Sequence, residues 1–203
     1  RGARVLALAY LSGAGTVVSV DGEGLFLVSS FHEEPRALDV PGFARGDRIT
    51  CLRPDGPVLY IGGEGRRLVV FDPRTEELTK CVFDREGWPS TYVWDVMRRN
   101  GALWVATSDD GLWIRRPDHD TLENVTKFPA KGAYVFEPQQ DGFWCGTPFG
   151  LWRYHDAGGV WLQFIHPQQR EPTDFEVITL ASAGNRLWYG SMELGAGYLI
   201  QDS

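Results

Sequence analysis

The strongest constraint on this chain is a unit of about forty residues that recurs five times. Each copy is anchored by a large side chain within an apolar run. The five anchors are Val18, Tyr60, Trp104, Trp144 and Trp188. They are separated by 42, 44, 40 and 44 residues, and a Gly-Leu or Gly-Tyr pair follows four of them. Because two landmarks recur together, the fold must be assembled from copies of one small unit.

Each unit divides into short apolar runs separated by turn residues. The opening runs are Val5–Tyr10, Ile49–Leu52, Tyr92–Val96, Ala133–Phe136 and Val177–Leu180. The turns that follow contain Ser12-Gly13, Asp55-Gly56, Asn100-Gly101, Asp141-Gly142 and Gly184-Asn185. The anchor run comes next, then a third run, and then a more polar one such as LTKCVF, NVTKF or WLQFI. Asp-Gly and Asn-Gly between apolar runs are strong hairpin signals, so each unit is predicted to form four antiparallel strands.

A four-stranded repeat of this length is typical of a β-propeller blade. The predicted fold is therefore an all-β propeller of about five four-stranded blades in a single domain. The predicted repeat units are 4–46, 47–90, 91–130, 131–174 and 175–203. Runs such as ALWVAT are apolar at consecutive positions, which predicts strands that are covered on both faces. Trp104, Trp144 and Trp188 are accordingly expected to be buried between neighbouring blades.

The fifth unit has too few residues for a fourth strand, so the last blade is predicted to be incomplete. The chain also begins without Met, which suggests that it was cut from something longer. Since propellers normally protect their edges by closing, we expect further blades of a larger propeller, or a second chain, at the open edges. A five-bladed ring that closes without the missing strand is the alternative.

Composition and motifs disfavour several functional classes. The chain has 20 Lys and Arg against 27 Asp and Glu, a net charge of -7, and no basic stripe, so nucleic acid is an unexpected partner. No apolar run approaches the ~20 residues of a membrane-spanning helix. Cys51, Cys81 and Cys145 are too far apart for a metal knuckle or a redox pair and are predicted to be core residues. No catalytic motif, metal site or cofactor site is predicted.

The repeat resembles that of the two-component-regulator type propellers. NGALWVATSDDGLWIRRP and QDGFWCGTPFGLWRYH carry this resemblance, and the unit around RLWYGS follows it until MELGAG. In the first two units, Val18 and Tyr60 replace the Trp. The resemblance spans nearly the whole chain. It implies a sensor or binding propeller without a set reaction, and a periplasmic or extracellular location.

Candidate binding residues come from the loops between second and third strands, because propeller ligands usually collect where such loops converge. The candidates there are Glu64, Arg66, Asp109, Asp110, Phe149 and Glu193. The adjacent carboxylates of Asp109 and Asp110 are the strongest pair, since they can bind a cation or raise one pKa. The alternative is that these acids are solvated turn residues. Trp88, in the connection 84–91, is a further candidate contact residue because Trp is enriched at interfaces.

Three functional hypotheses follow. The first is a non-catalytic recognition module that binds a carbohydrate, a peptide or a protein. The second is a propeller enzyme of the glycoside hydrolase or lyase type, in which Asp109, Asp110, Glu64 and Glu193 supply the acid and the base. The third is a purely structural scaffold.

Overall fold

A computed structural model of the chain describes residues 2–30, 32–65, 67–83, 92–164, 175–192 and 194–201. Within these residues the structure is all-β. The strands of the first three sheets are β1 (Val5–Leu11), β2 (Gly15–Val20), β3 (Gly24–Val28), β4 (Arg36–Leu38), β5 (Ile49–Asp55), β6 (Val58–Gly63), β7 (Leu68–Asp72), β8 (Glu77–Phe83), β9 (Val93–Arg99), β10 (Ala102–Thr107), β11 (Leu112–Arg115) and β12 (Glu123–Asn124). The strands of the last two sheets are β13 (Val135–Gln139), β14 (Gly142–Thr147), β15 (Gly150–His155), β16 (Val160–Phe164), β17 (Val177–Ala183), β18 (Arg186–Ser191) and β19 (Gly195–Ile200).

The strands form five sheets in which chain neighbours pair. The first four sheets have four strands each, and the last contains only β17, β18 and β19. Every strand pair whose register is resolved is antiparallel, as in β14–β15, where Trp144 is opposite Arg153. These sheets are the five blades of a β-propeller, and the prediction of an incomplete last blade is confirmed. The blades fall into two compact units, Arg1–Val96 and Met97–Ser203.

Tight turns make these hairpins possible. Asn100 and Gly101 connect β9 to β10 with φ values of 50° and 75°. Two successive positive φ values match the twist of the flanking strands, and Asn-Gly is the pair that adopts them at least cost. The prediction that Asn100-Gly101 forms a hairpin turn is confirmed.

Apolar side chains from successive sheets pack together within each unit. In the first unit, Leu25, Leu27 and Leu38 of the first sheet form one cluster with Ile61 and Phe71 of the second sheet.

The second unit contains two such clusters. One joins Trp104 and Leu112 of the third sheet to Phe136 and Phe143 of the fourth sheet. The rings of Trp104 and Phe143 meet edge-on, with their centres 5.0 Å apart. The other joins Leu151 to Val177 and Tyr189 of the fifth sheet.

Polar side chains also connect successive sheets. In the first unit Arg53 donates from Nε to Asp95 Oδ1 at 3.0 Å and to the Val96 carbonyl at 3.1 Å. In the second unit Arg99 donates from Nε to Asp156 Oδ1 at 2.9 Å and from Nη1 to the Gln139 carbonyl at 2.8 Å. Each of these guanidinium groups therefore crosslinks two sheets at fixed positions.

Two sequence predictions need correction. Trp144 and Trp188 were expected to be buried like Trp104, but Trp144 is only half-buried and Trp188 is 40% exposed, with the Tyr198 ring 4.9 Å away on its face of the last sheet. The run NVTKF was expected to form a whole fourth strand, but β12 ends at Asn124. Val125 and Phe128 instead form a turn, in which the Phe128 N–H donates to the Val125 carbonyl at 2.8 Å.

Cys51 and Cys145 are buried, as predicted, whereas the side chain of Cys81 lies outside the described part of the chain. Among the described residues, no helix has the length and apolar character needed to cross a bilayer.

Candidate functional site

A buried hydroxyl marks the end of most second strands. Thr107 Oγ1 donates to the Gly111 carbonyl at 2.9 Å, and Thr147 Oγ1 donates to the Gly150 carbonyl at 2.8 Å. Each bond connects the end of the second strand to the glycine before or at the start of the third strand, and so fixes both ends of the loop between them. The hydroxyl residues at this position are Thr107, Thr147 and Ser191, each three residues after its anchor Trp. This role was not predicted from the sequence, although a Ser or Thr stands three residues after each of Trp104, Trp144 and Trp188.

The loop that contains Asp109 and Asp110 is held by local hydrogen bonds. Ser108 Oγ donates to Asp109 Oδ1 at 2.8 Å, and Trp113 Nε1 donates to Asp110 Oδ2 at 2.9 Å. Asn124 Nδ2 donates to the Asp110 carbonyl at 2.9 Å. The Asp109 side chain is exposed and that of Asp110 is half-buried. The loop is therefore a fixed turn with one acidic side chain presented to solvent.

The two carboxylates differ in their electrostatic environment. Burial raises the pKa of Asp110, the hydrogen bond from Trp113 opposes this shift, and the negative charge of Asp109 adds to it. Two adjacent acids with different environments can bind a cation or share a proton.

Phe149 lies in the neighbouring loop of the same unit and is 40% exposed. Its N–H donates to Thr147 Oγ1 at 3.0 Å, so the hydroxyl that closes the loop also orients Phe149. Gly132 lies between the two loops, because a Cβ there would collide with the Ser108 carbonyl and would approach Pro148 Cγ to 3.2 Å. The structure thus brings Ser108–Asp110 and Pro148–Phe149 side by side, and we call these residues the acidic–aromatic rim.

Of the other predicted residues, Glu64 alone is among the described ones. Glu64 is exposed in the first unit, where its N–H donates to the Arg48 carbonyl at 2.9 Å. Arg66, Glu193 and Trp88 lie outside the described residues. Of the predicted binding residues, the rim therefore contains Asp109, Asp110 and Phe149.

A pocket in the first unit was not predicted from the sequence. Its volume is about 280 Å³, and Glu23, Asp39, Phe43 and Arg45 are among its lining residues. Arg45 lies beside Gly24, where an added Cβ would be in ordinary contact with the Arg45 Cα atom at 3.9 Å. In the sequence, the segment 31–48 that contributes to this pocket is distinguished by its content of Pro and charged residues.

Metal binding is not supported by the described side chains. Among the residues for which the structure gives positions, no group of three His, Cys, Asp or Glu side chains could hold an ion. The rim therefore offers carboxylate oxygens and one aromatic ring as its recognition chemistry.

Comparisons with known proteins show similarity of the fold alone. No protein-family model matches the sequence, and no curated protein matches it. The extracellular domain of the putative hybrid two component system BT3049 from B. thetaiotaomicron has a similar structure, with a TM-score of 0.79 and 14% identity over 98% of this chain. The extracellular domain of the putative one component system BT4673 from the same organism gives a TM-score of 0.74 and 20% identity over 93% of this chain.

A third similar structure is the WD40 β-propeller domain of Doa1, with a TM-score of 0.69 and 10% identity over 98% of this chain. This chain covers 67% of the Doa1 chain but only 28% and 25% of the BT3049 and BT4673 chains. Sequence identities this low support a similarity of the fold and nothing more. The chain is accordingly a five-bladed propeller whose structural neighbours include extracellular sensor domains.

Proposed function

We propose that this chain is a non-catalytic recognition domain of the two-component-regulator propeller type. It binds a carbohydrate, a peptide or a protein through the acidic–aromatic rim. The observation that carries this proposal is the pairing of Asp109 and Phe149 on adjacent loops that are both closed by buried hydroxyls. Preorganised loops lose little conformational entropy on binding, which favours recognition.

The chemistry of the rim suits a ligand that carries hydroxyl or cationic groups next to an apolar surface. The Asp109 carboxylate can accept hydrogen bonds from such a ligand, and the Phe149 ring can stack on a sugar face or hold a cation. The similarity to extracellular sensor domains supports a signal-recognition role, with a periplasmic or extracellular location.

The test is a screen of the purified chain against a glycan array and a peptide array. Hits are measured in solution with three variants, Asp109→Asn, Phe149→Ala and the control Asp118→Asn, which changes an exposed turn acid. Each rim variant is expected to lower the affinity for a true ligand about tenfold, whereas the control variant keeps the affinity of the wild type. Binding that all three variants retain would remove the rim as the site, and an absence of hits on both arrays would favour a scaffold.

An enzyme of the hydrolase or lyase type is the second candidate because the pKa of Asp110 is raised beside the carboxylate of Asp109. General acid catalysis needs a carboxyl group that holds its proton near neutral pH. Chromogenic glycosides and uronic-acid polymers would reveal turnover, and Asp110→Asn would then abolish it. A rate unchanged by Asp110→Asn would exclude this mechanism.

A further inference from the structure

The pocket of the first unit brings opposite charges together. Glu23 lies in the turn before β3, and Asp39 directly follows β4. Arg45 belongs to the connection that leads to β5. All three residues are exposed, and all three line the same cavity, whose volume is about 280 Å³. Two carboxylates and one guanidinium group are thus available to a molecule in this cavity.

Buried aliphatic residues form the rest of the lining. Leu25 of β3 is opposite Leu38 of β4, so both side chains leave the sheet on the same face, and both are buried in the core of the unit. Val40 and Ile49 also line the cavity and are buried in the same core, against which Phe43 packs. A molecule in the pocket therefore meets an apolar surface as well as the charged groups.

Hydrogen bonds hold the connection that contains Arg45. The Ala44 N–H donates to Asp47 Oδ2 at 2.8 Å, and the Asp47 N–H donates to the Ala44 carbonyl at 3.0 Å. Arg67 Nη1 donates to the Gly42 carbonyl. The backbone on both sides of Arg45 is thus fixed before a ligand arrives, which lowers the entropic cost of binding.

The charges of the pocket do not neutralise one another. Within the described part of the chain, neither Glu23 nor Asp39 nor Arg45 forms a side-chain ion pair or hydrogen bond. The carboxylates are complementary to a cationic group, and the guanidinium is complementary to an anionic group. A single ligand that carries both charges satisfies the two sides of the pocket at once.

The volume limits the size of the ligand. Pockets for drug-sized molecules measure about 300–1,000 Å³ and are lined mainly by apolar side chains with a few polar groups. A cavity of about 280 Å³ lies at the lower end of this range. It suits one small molecule rather than a chain of sugars or a folded partner.

We propose that this pocket is a second binding site, separate from the acidic–aromatic rim, for a free α-amino acid with an apolar side chain. The carboxylate of the ligand pairs with Arg45, and its ammonium group pairs with Asp39 or Glu23. Its side chain packs against Leu38 and Ile49. Each of the three chemical features of the pocket is used by one part of such a ligand.

Isothermal titration calorimetry of the 203-residue chain with L-valine, L-leucine and L-phenylalanine tests the proposal. The tightest binder of the three is then compared with its amide, which lacks the carboxylate, and with its deaminated acid, which lacks the ammonium group. Each analogue is expected to bind about tenfold more weakly than the amino acid. No binding of any of the three at millimolar concentration, or equal affinities for the amino acid and both analogues, would overturn the proposal.

Substitution of Arg45 tests the contact with the carboxylate. Arg45→Gln is expected to lower the affinity for the amino acid about tenfold and to leave the affinity for its amide unchanged, since the amide has no negative charge. The matched control is Lys127→Gln, which removes an exposed positive charge of the second unit. An unchanged affinity ratio of amino acid to amide in Arg45→Gln, or an equal loss in the control, would refute this contact.

The double variant Glu23→Gln with Asp39→Asn tests the contact with the ammonium group. It is expected to lower the affinities for the amino acid and its amide about tenfold and to spare the deaminated acid. The matched control is Glu33→Gln with Glu34→Gln, which changes two exposed acids before β4. Asp109→Asn in the rim is expected to leave amino-acid binding unchanged. Loss of binding in Asp109→Asn, or in the control, would refute the pocket as the site.

Discussion

At the scale of single residues, buried hydroxyls fix the loop geometry. Thr147 donates to the Gly150 carbonyl and accepts from the Phe149 N–H, so one side chain satisfies two backbone groups of the loop. Its side chain is fully buried. Loss of the hydroxyl would leave both groups without this partner and would release Phe149 from its orientation.

Thr147→Val tests this role because the two side chains are nearly the same size. The free energy of unfolding is expected to fall by about 1–3 kcal/mol, since two buried hydrogen bonds are lost without a cavity. Chemical denaturation measures the change. Thr121→Val, at an exposed position, is the control and should leave the stability nearly unchanged. Equal stability of both variants would show that the hydroxyl does not hold the loop.

The Arg99–Asp156 ion pair gives a pH-dependent prediction. The hydrogen bond from Arg99 is the main reason why the pKa of Asp156 lies below its ordinary value. Stability from this pair is therefore fully present above a pH of about 4 and is lost as the pH falls through the lowered pKa. Asp156→Asn should cost about 1–3 kcal/mol at neutral pH, and its deficit relative to the wild type should shrink below pH of about 4.

Unfolding curves between neutral and acid pH measure this deficit. Asp118→Asn serves as the control, since Asp118 is an exposed residue of a turn. A deficit for Asp156→Asn that stays constant with pH would contradict the electrostatic origin of its contribution.

At the scale of strands and sheets, close packing depends on small residues two positions after the anchors. Gly146 is an example: a Cβ there would lie 2.6 Å from the Val177 carbonyl oxygen and 2.7 Å from Val135 Cγ1. Since the nearest atom belongs to the backbone of β17, the fifth sheet could not accept a methyl group without moving. The distance between the fourth and fifth sheets is therefore limited by this glycine.

Gly146→Ala is expected to lower the free energy of unfolding by about 1–3 kcal/mol through overpacking. The control is Gly46→Ala, where an added Cβ meets no atom within 4 Å. Thermal unfolding of the two variants gives the comparison. A Gly146→Ala variant as stable as Gly46→Ala would mean that the sheets adjust freely.

Sequence patterns predicted these elements well where local chemistry determines them. Asn100-Gly101 predicted its hairpin, because the turn needs two positive φ values that this dipeptide adopts readily. The exposure of Trp188 was not predictable in this way. It shares its anchor position with Trp104, but Trp104 is buried against Phe143 and Tyr154 of the fourth sheet, whereas Trp188 is 40% exposed. The pocket beside Arg45 also escaped prediction, since it depends on how the segment before β5 folds back over Gly24.

At the scale of the whole molecule, two terminal sheets present apolar side chains to solvent. In the first sheet Leu8 and Tyr10 are 66% and 67% exposed. In the last sheet Trp188 and Tyr198 are 40% and 46% exposed, and their rings lie 4.9 Å apart. Exposed apolar patches of this kind mark interaction surfaces.

A hydrophobic dye should therefore bind the native protein at both sheets. The paired substitutions Leu8→Lys with Tyr10→Lys, and Trp188→Lys with Tyr198→Lys, are each expected to reduce dye fluorescence, because charge disrupts the apolar surface. Thr121→Lys is the control and should leave the signal unchanged. Dye binding that neither pair reduces would place the apolar surface elsewhere.

The hydroxyl that closes each loop has a consequence for how this protein could diversify. The bonds from Thr107 and Thr147 to the following glycines involve no side chain of the loops between them. Exposed loop side chains such as Asp109 and Phe149 are therefore expected to be exchangeable, provided that Asp110, which accepts from Trp113, is kept. The molecule is in this sense a ready scaffold for selecting new binding specificities, with substitutions confined to the intervals between these fixed points.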